Sequence, residues 1–124
     1  TITAAEAKKL EAVLPALKKK AEQFRKLSKS TGDVRPMQLY IIGHTDTVGS
    51  PASNQKLSHR RAVAIGKWLA ERGVSAQIFA RGFGEKYLAV ATADNTDEVR
   101  NRRVQYVVAA NPPVGARSDW KRVR

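Results

Sequence analysis

The chain has 124 residues, of which 42% are hydrophobic and 27% charged, so its length is that of one compact domain with enough apolar side chains for a single core. It has no cysteine, which excludes disulfides, thiolate metal sites and a cysteine nucleophile. It also lacks a run of about 18 apolar residues and a leader pattern, so as given it is expected neither to span a membrane as a helix nor to carry its own export signal. Opening on Thr1, it reads as a processed or excised piece. The formal net charge of +12 would draw polyanions, and nucleic acid is the reading that any other must displace.

Thr3-Ala4-Ala5-Glu6 is a capping-box pattern, and the spacing predicts a helix from about Ala4. Leu10, Val13, Leu14, Leu17, Ala21, Phe24 and Leu27 recur at intervals of three and four and form one apolar stripe, with Lys8, Lys9, Lys18, Lys19 and Arg25 largely off it. Pro15 lies inside that pattern without an amide donor, so a kink or restart is expected there. Ser30-Thr31-Gly32-Asp33 closes the helix. Met37 to Gly43 is a nearly continuous apolar run that fits a strand buried on both faces. A loop through Gly49, Ser50 and Pro51 leads to a second helix, roughly Ser53 to Arg72, stopped by Gly73. A strand near Gln77 to Arg81 completes a crossover unit between parallel strands, whose sites gather at strand carboxyl ends. Gly82-Phe83-Gly84-Glu85 reads as a turn, Thr92 to Asn101 as a polar stretch, and Val104 to Val108 as a last strand. The chain thus divides into an N-terminal helix (1–36), a core (37–110) and a flexible basic tail (111–124).

The second helix departs from a simple apolar stripe. At 100° per residue, Arg61 falls among Leu57, Ala64, Ile65, Trp68 and Leu69, and Asn54 lies one turn before Leu57 on the same face. A guanidinium in such a stripe requires an acceptor, and Asp46, just past the end of the preceding strand, is the natural one. Two readings stay open. Asp46 and Arg61 form an internal salt bridge, or they leave a receptor for a zwitterion, Asp46 taking an ammonium and Arg61 forking onto a carboxylate.

Gly43-His44-Thr45-Asp46, Gly49-Ser50, Asn54 with Leu57-Ser58 and Arg61-Ala62, Gly82-x-Gly84-Glu85, and Asn101-Arg102-Arg103-Val104 follow one another in an order and spacing that resembles the OmpA-like peptidoglycan-binding family. That family includes peptidoglycan-associated lipoproteins, porin C-terminal domains and flagellar stator wall anchors. The resemblance implies an α/β two-layer sandwich, a mixed β-sheet with helices packed on one face, whose customary first strand is truncated here because only Thr1-Ile2 precede Thr3. It implies that Asp46 and Arg61 hold the ammonium and carboxylate of meso-diaminopimelate in the peptide stem, with Thr45, Asn54, Leu57 and Arg103 as secondary contacts. It also implies a periplasmic domain that anchors an outer-membrane or envelope protein to the cell wall, with no cofactor. Other envelope proteins and a second copy of the chain are the further partners left open. A second departure is Leu88-Ala89, where the family commonly has a proline.

No catalytic residue is assigned. Ser58 and His59 are neighbours on a helix and point about 100° apart, so they cannot act as nucleophile and base. His44 and His59 lack a second ligand-type residue at suitable spacing, so no metal site is expected, and His44 is read as shaping the loop that carries Asp46. Trp68 and Tyr106 read as core, and Trp120 as the one aromatic that could meet a partner or a membrane surface. The alternatives are a basic nucleic-acid-binding domain, which explains the charge but not Asp46, Asn54 and Arg61, and a structural module that pairs through an open sheet edge.

Overall fold

In a computed structural model, which describes residues 2–32, 38–74, 76–86, 91–92, 96, 101–109 and 112–124, the chain folds into two helices and a four-stranded mixed sheet. The elements are α1 (Ala4–Thr31), β1 (Gln38–Gly43), α2 (Pro51–Glu71), β2 (Gln77–Gly82), β3 (Val104–Val108) and a short β4 (Lys121–Arg122). The sheet order is β3-β1-β2-β4. β1 and β2 run parallel with α2 between them, and β3 and β4 lie antiparallel at the two edges. The expected two-layer α/β fold is therefore present, and no strand precedes α1 among the described residues. The departure at Leu88-Ala89, the starts at Met37 and Asn111, and most of Thr92 to Asn101 lie outside the described residues.

The alternation of β1 and β2 sorts the core into two faces. Leu39, Ile41, Ile78 and Ala80 meet Leu10, Leu17 and Ala21 of α1 and Ala62, Ile65 and Leu69 of α2. Tyr40, Ile42 and Phe79 point the other way and join Phe83 and Trp120. α1 runs as one helix through Pro15, so the expected restart does not occur. Thr3 caps it, Glu6 N donating to Thr3 Oγ1 at 3.2 Å, which is the Thr half of the capping-box pattern. α2 is capped by Ser50, whose Oγ accepts from Ser53 N at 3.1 Å, and it ends ahead of Gly73 at φ +82°.

The helical phase of α2 differs from the sequence reading. Its buried residues are Asn54, Ser58, Ala62, Ile65, Gly66, Trp68 and Leu69, and Arg61 is exposed. The cause lies in the sheet. Gly43 and Gly82 are register partners at the ends of β1 and β2, and a Cβ on either would overlap the backbone around Ser58. The two glycines open a slot into which α2 sinks at Ser58, and the small side chains Ala62 and Gly66 continue that close approach. Rotated this way, the helix carries Arg61 to its shoulder instead of its underside.

Residues 112–124 are not a loose tail. Arg117–Asp119 form a 3-10 turn, β4 pairs with Phe79 and Ala80, and Val123 N donates to Ile78 O at 2.8 Å. Trp120, read as the one aromatic that could meet a partner or a membrane surface, is 5% exposed against the sheet. The face of the sheet opposite the helices is aromatic, and the C-terminal strap covers it. No helix among the described residues is long and apolar enough to cross a membrane.

Candidate functional site

The chain leaving β1 is held from both sides. His44 N donates to Arg103 O at 2.9 Å, and Thr45 N donates to Gly84 O at 2.9 Å. Phe83 N closes the turn onto Gly43 O at 3.0 Å. His44, Thr45, Asp46 and Thr47 are all buried, which is costly for polar residues unless each has a structural or ligand-directed use. Thr45 Oγ1 donates to Asp46 O at 2.9 Å, and Asn54 Nδ2 donates to Asp46 O at 3.2 Å and Val48 O at 2.9 Å. Thr47 Oγ1, which the sequence reading passed over, accepts from Thr96 N at 2.7 Å. Thr45 and Asn54 thus fix the backbone that carries Asp46.

The Asp46 carboxylate is buried and engaged. Its Oδ1 accepts from Val48 N at 3.1 Å, an Asx-type turn, and its Oδ2 is ion-paired with Arg102 Nη1. The Arg102 side chain is 38% exposed and that of Asp46 8%, so the pair has one buried and one reachable member. The sequence reading chose Arg103 from the Asn-Arg-Arg-Val motif. The structure puts the adjacent Arg102 on the carboxylate and makes Arg103 half-buried.

Beside this loop lies a cavity of about 510 Å³ between α1, α2, the end of β1 and the start of β3. Its apolar floor comes from Leu10, Val13, Ile65, Val104 and Tyr106. Its charged lining comes from Arg61, Arg102, Arg103 and Lys9, with Glu6 the one carboxylate among the lining residues, and His44 and Ser58 contribute further polar groups. Arg61 and Arg103 therefore share a cavity with Arg102, whereas Leu57, half-buried on α2, is not among the lining residues. Glu6 and Lys9 bring α1 into the site, which the sequence reading did not foresee. Burial pushes the Tyr106 phenol up to about 12, so it stays protonated at neutral pH. Burial also lowers the pKa of His44 from its ordinary 6.5, against the raising effect of its Gln105 hydrogen bond and with the Arg103 charge adding to the lowering. Its imidazole is neutral at pH 7. Among the described residues no group of three His, Asp or Glu is placed to hold a metal ion.

These features define a class: a two-layer α/β domain whose strand-end loop presents a held carboxylate beside a cationic, apolar-floored cavity. The chain belongs to the OmpA family, whose family model matches residues 1–102. It is 41% identical over 71 residues to outer membrane porin F of Pseudomonas fluorescens, covering 56% of this chain and 22% of that protein. It is 38% identical over 71 residues to outer membrane protein A of Escherichia fergusonii, covering 56% of this chain and 28% of that protein. A third similarity, 39% over 75 residues and 55% of this chain, is to photosystem I P700 chlorophyll a apoprotein A2 of Gloeobacter violaceus, of which it covers 9%. The chain thus spans only a minor part of each of these relatives. The strap at 112–124 lies beyond the family match.

Proposed function

We propose that this domain binds the peptide stem of peptidoglycan non-covalently through meso-diaminopimelate and so anchors an outer-membrane or envelope protein to the cell wall, on the periplasmic side. The observation that carries the proposal is the composition of the cavity. An apolar floor ringed by Arg61, Arg102, Arg103 and Lys9 suits an aliphatic side chain that ends in carboxylate, and the Asp46 carboxylate beside it suits the accompanying ammonium. Support comes also from the family, whose members generally bind peptidoglycan, and from relatives named as outer-membrane proteins.

In the free domain, Arg102 serves as the counter-ion of Asp46, because a buried carboxylate without one is strongly disfavoured. On binding, the ligand ammonium takes over that role, and the released guanidinium turns with Arg61 toward the ligand carboxylate. Charge balance at Asp46 is kept in both states. Arg61 is exposed and therefore poised to meet a ligand instead of serving the core.

Titration calorimetry with a soluble diaminopimelate stem peptide, a lysine-type stem, and the Asp46→Ala and Arg61→Ala variants tests this reading. Saturable binding that prefers diaminopimelate and is lost in both variants supports it. No heat with any stem, from protein shown to be folded, refutes it and returns Asp46 and Arg61 to structural roles.

A further inference from the structure

The helical layer has an outer surface that stem binding does not use. α1 and α2 bury their apolar sides against the same face of the sheet, so their opposite sides form the outside of this layer. At about 100° per residue, Lys8, Lys19 and Lys26 of α1 fall within roughly 20° of one another, and Lys56, Arg60 and Lys67 of α2 within roughly 40°. Each trio lies opposite the buried side of its helix, and all six residues are exposed. The layer therefore carries a basic crest on each helix.

These charges are not answered by anions of the fold. None of the six is ion-paired among the described residues, whereas Arg25 and Arg72, off the crests, are taken up by Glu22 at 2.6 Å and Glu71 at 3.9 Å. Glu71 is the sole carboxylate of α2. On α1, Glu6 lines the cavity, and Glu11 and Glu22 lie at least about 40° to one side of the crest.

The reach and composition of this surface select its partner. Lys8 and Lys26 are about 27 Å apart along the helix, several times the screening length of about 8 Å at physiological ionic strength. Charges so spread cannot converge on one phosphate or carboxylate; they suit an extended anionic plane that meets all of them together. Stacking platforms for unpaired bases are lacking, since Phe24 is half-buried and Trp68 buried, and these are the only aromatic residues of the two helices. Both helices are seated on the sheet, so neither protrudes to enter the groove of a duplex. The one large apolar side chain exposed on them is Leu27, near the end of α1, so contact with a bilayer is adsorption and not insertion. We propose that the crests of α1 and α2 together dock the domain on an anionic phospholipid bilayer surface, a contact separate from the stem site.

Co-sedimentation of the full chain with phosphatidylcholine vesicles containing one third phosphatidylglycerol, and with pure phosphatidylcholine vesicles, tests this. Wild type is expected to sediment with the anionic vesicles alone and to be released at about 1 M salt, where the screening length shortens to about 3 Å. Each basic residue held at such a surface strengthens binding about fivefold, so Lys8→Gln/Lys19→Gln/Lys26→Gln and Lys56→Gln/Arg60→Gln/Lys67→Gln should each bind at least about thirtyfold more weakly. Gln is a good helix former, and circular dichroism checks that both variants are folded. Arg117→Gln/Lys121→Gln/Arg122→Gln removes the same charge from the strap and should weaken binding less than about fivefold. Equal weakening in all three variants would make net charge and not this face responsible, and would overturn the proposal. Absence of wild-type binding, or equal binding to neutral vesicles, would overturn it too. Duplex DNA that strips wild type from the vesicles at equal phosphate concentration would overturn it in favour of nucleic acid.

Discussion

Replacing Trp120 with alanine measures how firmly the C-terminal strap belongs to the fold. Trp120 meets Tyr40 edge-on at 5.1 Å and Phe83 at 6.2 Å, and its Nε1 donates to Val114 O at 3.1 Å. Arg81 lies 4.8 Å from the centre of the Phe83 ring and 5.9 Å from that of Trp120. A buried Trp→Ala change costs about 3–5 kcal/mol in transfer and cavity terms. Two responses are open to the variant. If β4, the Val123 bond to Ile78 and the Arg124 bonds to Ala70 O and Val74 O hold the strap in place, an unfilled cavity is left beneath it. If they release, Tyr40, Phe79 and Phe83 become exposed. The two routes limit each other, so the lower figure of about 3 kcal/mol is expected. With a urea dependence of about 1–3 kcal/mol per molar for a domain of this size, the unfolding midpoint should fall by roughly 1–3 M. Equilibrium urea unfolding followed by far-UV circular dichroism reads this directly. A midpoint shift below about 0.3 M would refute the reasoning and show that the strap contributes nothing to the stability of the core.

Gly82→Ala should destabilise by at least about 1–3 kcal/mol, because its Cβ would overlap backbone at His59 and the Ser58 hydroxyl, and thermal unfolding checks it. Arg61→Ala should leave stability within about 0.5 kcal/mol, since the residue is exposed, yet it should weaken stem binding; a large loss of stability would mean that Arg61 serves the fold. Asp46→Ala should weaken stem binding at least about thirtyfold, as loss of one partner of a desolvated charge pair does, and calorimetry reads the change. Stability should decline as pH falls below 6.5. The His44 pKa is lowered in the folded state, so in that range the unfolded chain binds the extra proton; denaturation midpoints at pH 7.5 and 5.5 should differ in that sense, and the difference should shrink in His44→Asn.

The elements of this fold were legible because the sequence periodicities agree with the packing. The α1 stripe places Leu10, Leu17 and Ala21 in the core, and the unbroken apolar run of β1 places Leu39 on one face of the sheet and Tyr40 on the other, both at 0% exposure. The phase of α2 was less legible. A helical wheel weights residues by hydrophobicity, so Leu57 and Trp68 drew the axis of the stripe toward Arg61. Packing distance instead favours small residues where the sheet presents Gly43 and Gly82, and Ser58, Ala62 and Gly66 turn inward. The strap was hidden for a related reason. Its charges, Arg117, Lys121, Arg122 and Arg124, suggested solvent, whereas two-residue β4, a single Trp and the hydrogen bonds of Val123 and Arg124 supply its attachment, too short a pattern for periodicity to reveal.

At the site, sequence spacing brought the right segments together but could not allot partners among them. Asn101-Arg102-Arg103-Val104 enters β3, and neighbouring side chains at a strand entrance point in different directions, so of the two cavity-lining arginines Arg102 is the one that reaches Asp46. The signal that separates them is the pairing of β3 with β1. Gly43 is opposite Val104, and His44 N is bonded to Arg103 O, which fixes Arg103 beside His44 and leaves Arg102 to extend to the loop beyond. The same register places Gln105 against the His44 ring. The antiparallel alignment of one strand thus assigns three residues at once: Arg102 to the carboxylate, Arg103 to the cavity, and Gln105 to the imidazole. A one-residue slip in β3 would exchange its faces and abolish all three contacts, so the integrity of the site depends on the register of β3 as much as on the identity of Asp46.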